Sequence, residues 1–213
     1  MSPDTGQFRR PAMLISALRQ DLCLAYANTR FWRGREAPTE TLHTLGDLLG
    51  WLEATAGMNA RALRQLAAWS CDEPVAAPRL LAAAAALREA LYRIFSALAT
   101  DRRVPQQDFA ALRHALAAAP ARSRLASSAS GYVWELENPR PSVPHLLAPV
   151  LWSAGDLITG GAHRRVRRCA NDTCLWLFLD ESKNATRRWC DMASCGNRAK
   201  ARRHYLKVTR GSV

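Results

Sequence analysis

Residues 165–198 read RVRRCANDTCLWLFLDESKNATRRWCDMASCGNR, and two matched cysteine pairs organise this stretch. Four residues separate Cys169 from Cys174, four separate Cys190 from Cys195, and fifteen separate the two pairs. Zinc favours four thiolate or imidazole ligands at the corners of a tetrahedron, commonly supplied as two close pairs on turns. The spacing therefore predicts one structural zinc ion bound by Cys169, Cys174, Cys190 and Cys195.

Two other arrangements of the four cysteines stay open from the residues alone. An iron–sulfur cluster also takes four thiolates, and two disulfides would fit the same count. The polar segment 1–10 is not followed by the apolar core of a signal peptide, which predicts a cytoplasmic chain and disfavours disulfides. Cys23 and Cys71 lie far from the pairs, and we interpret each as a small buried apolar residue in a helix.

The residues around the cysteine pairs predict a small β-hairpin and a helix. Leu175–Asp180 is rich in β-forming residues and is followed by the polar turn Glu181–Asn184. The second pair would then open a C-terminal helix, with Gly196–Arg198 at its N-terminus. This order of turn, hairpin and helix resembles a treble clef, and we expect the finger to cover 164–210.

The rest of the chain is predicted to be one mainly helical domain over residues 13–160, preceded by a disordered arm over 1–12. Its strongest helix follows Pro78 and carries apolar residues at alternating spacings of four and three. Such a seam is typical of a bundle core, which we favour over a coiled-coil dimer. The residues of the seam are Leu80, Ala84, Leu87, Leu91, Ile94 and Leu98.

Further periodicities predict the remaining elements of this domain. Apolar residues between Leu14 and Ala25 fall on one helical face, and the stripe Leu45–Leu52 predicts a helix that stops at Gly57. Pro105 would open another helix with Phe109 buried. The other expected elements are a short β-hairpin at 124–127 and 132–136 and a last helix over 145–159.

Positive charge is concentrated in the last quarter of the chain. The whole chain has a formal net charge of +12, and residues 161–213 hold 13 Lys+Arg against 4 Asp+Glu, a net +9. A basic surface with so few acids favours a polyanionic partner, most often nucleic acid. The candidate nucleic-acid-binding residues are Arg164, Arg165, Arg167, Arg168, Arg187, Arg188, Asn197, Arg198, Lys200, Arg202, Arg203 and Lys207.

Two classes of function are disfavoured by what the sequence lacks. No apolar run approaches the length that crosses a bilayer, so we expect no membrane partner. The chain shows no Gly-rich phosphate loop, nucleophile elbow or telling carboxylate pair. Four cysteine ligands also close the zinc shell and leave no position for a catalytic water, so we do not expect an enzyme.

The finger segment contains several longer motifs, which are Cys-x4-Cys, Trp-Leu-Phe-Leu-Asp at 176–180, Ser182–Asn184, Arg187–Met192 and Cys195–Lys200. In these motifs it resembles the CGNR zinc-finger family of bacterial proteins. The N-terminal part contains Leu22–Thr29, the helix around Leu48–Leu52, and Trp152–Ala154. In these pieces it is similar to ABATE, the helical domain usually joined to that finger.

The resemblance implies a stress-linked bacterial transcription regulator that binds double-stranded DNA, with the helical domain as a sensor or dimerisation domain. A homodimer through the helical domain and an unidentified small-molecule effector are two further partners that the sequence leaves open. From the residues alone, RNA stays a near alternative, because charge and zinc do not separate the two nucleic acids. A second alternative is a protein-interaction module in which the finger binds an acidic protein.

Overall fold

The structure, a computed structural model, describes residues 12–15, 19–129, 131–136 and 140–210. Within α8, side chains are described up to Arg202 and at Tyr205. The predicted arm over 1–12 lies outside the described residues apart from Ala12. Across the described part helices dominate, and the predicted mainly α fold is confirmed.

Eight α-helices and seven short strands make up the described chain. The helices are α1 Leu22–Ala27, α2 Leu45–Ala56, α3 Ala60–Asp72, α4 Ala76–Leu98, α5 Gln106–Ala118, α6 Val143–Leu146, α7 Ala148–Thr159 and α8 Asn197–Arg210. The strands are β1 Met13–Ile15, β2 Arg30–Phe31, β3 Thr39–Glu40, β4 Leu125–Ser128, β5 Gly131–Leu136, β6 Val166–Arg168 and β7 Leu177–Leu179. They pair antiparallel in three sheets, ordered β1-β5-β4, β2-β3 and β6-β7.

Helix α4 is the central element of the helical domain and packs against α1, α2, α3 and α5. Its predicted seam is buried from Leu80 to Ile94, and Leu98 at its end is half-buried. The seam residues belong to one hydrophobic core with α1, α2 and α7. The interpretation of the seam as bundle core is therefore confirmed.

Helix α2 shows how the local sequence sets its ends. The Thr44 hydroxyl accepts a hydrogen bond from the Asp47 N–H at 3.1 Å, and the Asp47 carboxylate accepts one from the Thr44 N–H at 2.8 Å. This reciprocal capping box satisfies two N–H groups that lack partners within the helix. Gly57 ends α2 in the left-handed region with φ 63°, as predicted.

The prediction of one helix between Leu14 and Ala25 is wrong at its start. Met13–Ile15 forms strand β1, in which Leu14 pairs with Glu135 of β5. The Leu14 N–H also donates to Asn59 Oδ1 at 2.8 Å. The periodicity of a short apolar run does not distinguish a helix from a strand. Here the run forms a strand because it pairs with β5, which lies far along the chain.

Of three other expectations, the structure confirms one and corrects two. The predicted hairpin is confirmed as β4 and β5, with Ser128 paired to Gly131 at its turn. Phe109 is 42% exposed rather than buried, because α5 turns Leu112 inward. The last helix is interrupted at Leu147, and Pro149 lies in the first turn of α7, where its missing N–H costs little.

No described helix combines the length and the apolar character needed to cross a membrane.

Candidate zinc centre and nucleic-acid interface

The four predicted cysteine ligands converge on one point. Their Sγ atoms all lie within 4.8 Å of one another, and the Cys174–Cys190 and Cys190–Cys195 Sγ–Sγ distances are 3.7 and 3.8 Å. A tetrahedral site with Zn–S bonds of about 2.3 Å has sulfur–sulfur edges of about 3.8 Å. Cys190 is half-buried and the other three are buried. Donor type, number and spacing therefore fit one structural zinc ion.

The first cysteine pair lies on a tight turn between β6 and β7. The Cys169 N–H donates to the Trp176 carbonyl at 2.8 Å, which extends the hairpin ladder to the first ligand. The Cys174 N–H donates to the Asn171 carbonyl at 2.9 Å and closes the turn. The Asn171 side chain reaches across to Cys195 Sγ at 3.5 Å. Such a donor to a ligand sulfur holds the two pairs in register.

Helix α8 begins at Asn197, as predicted, but a further helical turn precedes it. The Asp191 carboxylate accepts hydrogen bonds from the N–H groups of Ala193 at 3.3 Å and Ser194 at 2.8 Å. It thereby caps a wide turn, Met192–Gly196, that runs directly into α8. The sequence contains the signal for this cap, because Asp is a preferred N-cap residue.

The backbone N–H groups of Gly196 and Asn197 at the start of α8 are already bonded within the chain. The Gly196 N–H donates to the Asp191 carbonyl at 3.0 Å, and the Asn197 N–H bonds to carbonyls of the preceding turn. The Asn197 side chain donates to the Ala193 carbonyl at 3.0 Å. A Cβ on Gly196 would lie 2.9 Å from Met192 Sδ, so glycine lets that side chain pack against the helix start.

Asp180 is a buried structural residue that sequence reasoning missed. Its carboxylate accepts hydrogen bonds from the N–H and Oγ of Ser182 at 3.0 and 2.5 Å, and from the Arg187 N–H at 2.9 Å. Burial alone would raise the pKa of Asp180, but these hydrogen bonds hold it below its usual range. The carboxylate thus ties the end of β7 to the approach of the second cysteine pair.

Arg187, a candidate nucleic-acid contact, lies within the scaffold of the metal centre. Its guanidinium donates to the carbonyls of Trp189, at 2.9 Å, and of Cys190. Its Cζ atom lies 4.8 Å from the centre of the buried Phe178 ring. Phe178 and the half-buried Trp189 pack around the cysteines, whereas Trp176 is 36% exposed.

The four arginines before Cys169 are divided between two surroundings. Arg164 and Arg165 are exposed on a single 3-10 turn, and only Arg167 and Arg168 lie in a strand. Arg165 donates to a backbone carbonyl at 2.9 Å and Arg167 to another at 2.8 Å. Arg168 points to the helical domain, where it donates to Ser96 Oγ at 3.0 Å.

Three other predicted arginines line one cavity of about 440 Å³ beside the first cysteine turn. The Arg188 Cζ lies 5.5 Å from the Trp189 ring centre, and the Arg198 Cζ lies 4.7 Å from that of Trp32. Arg202 lies 3.5 Å from a carboxylate oxygen of Asp172. Lys200 is exposed on α8, and the side chains of Arg203 and Lys207 lie outside the described residues.

The finger packs directly onto the helical domain. A Cβ on Gly34 would lie 1.6 Å from the Asp172 carbonyl oxygen, and the Gly34 N–H donates to the Thr173 carbonyl at 3.3 Å. The Tyr92 hydroxyl donates to the Leu175 carbonyl at 2.9 Å. Sequence reasoning missed this joint, because its contacts connect residues that are far apart in the chain.

Two family models match the chain in the order of its two parts. The ABATE model, described as "Putative stress-induced transcription regulator", matches residues 20–161, and the CGNR zinc finger model matches residues 165–207. Among curated proteins, none matches the chain. The chain therefore belongs to the ABATE family and carries a CGNR zinc finger at its C-terminal end.

Proposed function

We propose that this protein is a regulator that binds double-stranded DNA through the basic surface of its zinc finger. The observation that carries the proposal is the cavity lined by Arg188, Arg198 and Arg202. Asp172 is the one carboxylate among the described residues that line it. Three guanidinium groups facing one carboxylate attract a polyanion, and the net +9 of residues 161–213 extends that attraction.

Two of the three arginines of the cavity contact tryptophan rings in the absence of a ligand. Arg188 and Arg198 stack on tryptophan rings, and within the described residues neither forms an ion pair. A stacked guanidinium keeps its edge N–H groups free for phosphate oxygens and loses less conformational entropy on binding. Arg164 and Lys200 add exposed positive charge elsewhere on the finger.

Zinc binding and nucleic-acid binding are coupled in this proposal. The small core around the metal contains Cys169, Cys174, Cys195 and Phe178, too few residues to fold without the ion. Zinc positions both the turn that carries Asp172 and the helix that carries Arg198. The proposal includes no catalytic step, since four cysteines complete the zinc shell.

The helical domain is proposed to be the sensor or dimerisation part. The family description of ABATE supports a regulatory role. The joint between the two parts gives the physical route. The buried Asn28 side chain donates to the Leu177 carbonyl at 2.7 Å, and Gly34 lies against Asp172, so a rearrangement of the helical domain would move the finger with it.

The test is binding of the zinc-loaded full chain to three polyanions of matched charge at one salt concentration. The probes are a duplex DNA, a hairpin RNA and poly-glutamate, each followed by fluorescence anisotropy with and without a chelator. We expect duplex DNA to bind most tightly and only with zinc. Stronger binding of the RNA hairpin would show that the partner is RNA rather than DNA. Binding of poly-glutamate alone would favour a protein-interaction module that binds an acidic protein.

A further inference from the structure

We propose that the cavity lined by Arg188, Arg198 and Arg202 is a phosphate-binding pocket whose affinity is held down by Asp172. The first source of the phosphate is the nucleic-acid backbone, and for this source the proposal rests on the proposed function. A free phosphorylated small molecule offers the same chemistry and is the second source.

The pocket has the chemistry of a phosphate site. Its volume of about 440 Å³ leaves room for a phosphate group with its attached sugar. The described residues that line it include three arginines, whose planar forks match pairs of phosphate oxygens. The amide of Asn171 also borders the space, although its side chain is engaged with Cys195 and Thr173.

Both parts of the protein contribute to the geometry of the pocket. Trp32 belongs to the helical domain, and its ring centre lies 4.2 Å from the Arg35 Cζ and 4.7 Å from the Arg198 Cζ. Trp32 therefore positions a pocket residue without lining the pocket itself. Trp189 provides the corresponding support for Arg188 from within the finger.

Asp172 makes it possible to distinguish a phosphate pocket from a surface that only packs, because its carboxylate would compete with a bound phosphate. Its carboxylate lies 3.5 Å from Arg202, and the two side chains are 75% and 73% exposed. An exposed pair of this kind contributes little to stability. A phosphate entering the pocket must compete with this carboxylate for Arg202, and the two negative charges repel each other. Removing the carboxylate should therefore strengthen phosphate binding.

The experiment uses opposite changes of charge in the zinc-loaded full chain. Arg188→Gln and Arg202→Gln remove one positive charge each, Asp172→Asn removes the negative one, and Arg61→Gln on α3 is the matched control on an exposed surface of the helical domain. The probes are duplex DNA and inorganic pyrophosphate, and zinc content is measured for every variant. Arg198 is left unchanged, because its contact with Trp32 belongs to the joint.

We expect each arginine variant to weaken binding about tenfold, since one charge-assisted hydrogen-bond pair is lost. The salt dependence of DNA binding should fall by about one phosphate contact. Asp172→Asn should tighten binding several-fold, a gain that misfolding cannot produce, and Arg61→Gln should match the wild type.

The two probes separate the outcomes. Effects on duplex DNA alone assign the pocket to backbone phosphate, and effects on pyrophosphate with no DNA binding assign it to a free ligand and reject the proposed function. If the wild type binds DNA while all four variants bind alike, the pocket is rejected and the proposed function stands. If the wild type binds neither probe, both proposals are rejected.

Discussion

The side chain of Asn28 acts as a strand partner for the backbone of Leu177. Its Nδ2 donates to the Leu177 carbonyl at 2.7 Å, and its Oδ1 accepts from the Leu177 N–H at 3.0 Å. Asn28 lies just after α1 and is buried, while Leu177 begins β7 of the finger hairpin. One amide thus satisfies both backbone groups of a buried residue and joins the two parts of the protein.

Asn28→Ala should destabilise the joint. The change leaves the Leu177 N–H and carbonyl buried without partners, which should lower the free energy of unfolding by about 2–4 kcal/mol. Urea denaturation at fixed zinc concentration measures it. Asn184→Ala, at an exposed position of the finger, is the control and should change stability by less than about 0.5 kcal/mol. Equal stabilities of the two variants would contradict the role of Asn28.

Gly34→Ala and Gly50→Ala should change stability in opposite directions. A Cβ at Gly34 would lie 1.6 Å from the backbone oxygen of Asp172, so the loop or the finger must move, at a cost of about 1–3 kcal/mol or more. A Cβ at Gly50 meets nothing within 4 Å on the exposed side of α2, and alanine should add about 0.5–1 kcal/mol of helix stability. Thermal unfolding measures both. A Gly34→Ala protein as stable as the wild type would show that the contact with Asp172 is not tight.

Removal of zinc should loosen the finger unevenly. Val166 and Leu177 of the hairpin belong to the main core, whereas Cys169, Cys174, Cys195 and Phe178 form a separate small cluster. Chelation should therefore expose the amides of 181–200 to hydrogen exchange while Leu177 and the helical domain stay protected. Mass spectrometry of exchanged peptides follows this. Uniform loss of protection would show that zinc supports the whole chain.

Arg187→Gln should weaken zinc retention. The Arg187 guanidinium donates to the carbonyls of Trp189 and Cys190. Without these hydrogen bonds, the backbone that leads into the second cysteine pair is less firmly held. We expect the metal to transfer to a competing chelator about tenfold more readily, in line with other outer-shell changes. Arg164→Gln removes the same charge from an exposed turn and should leave zinc retention unchanged. A defect in DNA binding alone would place Arg187 at the nucleic acid instead.

An ion pair inside the helical domain should make stability depend on acid pH. Arg88 is 2% exposed and donates to both carboxylate oxygens of Glu40, at 2.6 and 2.5 Å. Burial alone would raise the pKa of Glu40, but the hydrogen bonds from Arg88 hold it at about 2. Because the folded pKa is depressed, the stabilisation is complete above the unfolded pKa of about 4.3 and is lost as pH falls towards about 2.

Glu40→Gln tests this pH dependence. The variant should be less stable than the wild type at neutral pH, and the difference should shrink as pH falls through this range. Urea midpoints measured at several pH values provide the comparison. A constant difference between the two proteins would show that Glu40 does not carry the effect.

The zinc ligands could be predicted from the sequence because the pattern that identifies them is the spacing of cysteines that lie close together in the chain. Cys169–Cys174 and Cys190–Cys195 need only two turns and a hairpin to meet, and the β-forming residues between them supply that hairpin. The buried seam of α4 was predictable for the same reason, since helical periodicity is local.

Contacts between distant residues were not predictable in the same way. Nothing near Gly34 in the sequence indicates that its missing Cβ makes room for Asp172. Strand β1 depends on pairing with β5, more than a hundred residues later. Asp191 is a different case, because its N-cap role could have been read from its place before the last cysteine.

The most direct test of the central proposal is the salt dependence of duplex binding by the zinc-loaded chain. Each phosphate neutralised should contribute about −0.9 to the slope of log K against log salt concentration. We predict a slope steeper than about −2 with zinc and no measurable binding after chelation. A slope near zero, or binding that survives removal of zinc unchanged, would contradict a zinc-organised basic surface that binds DNA.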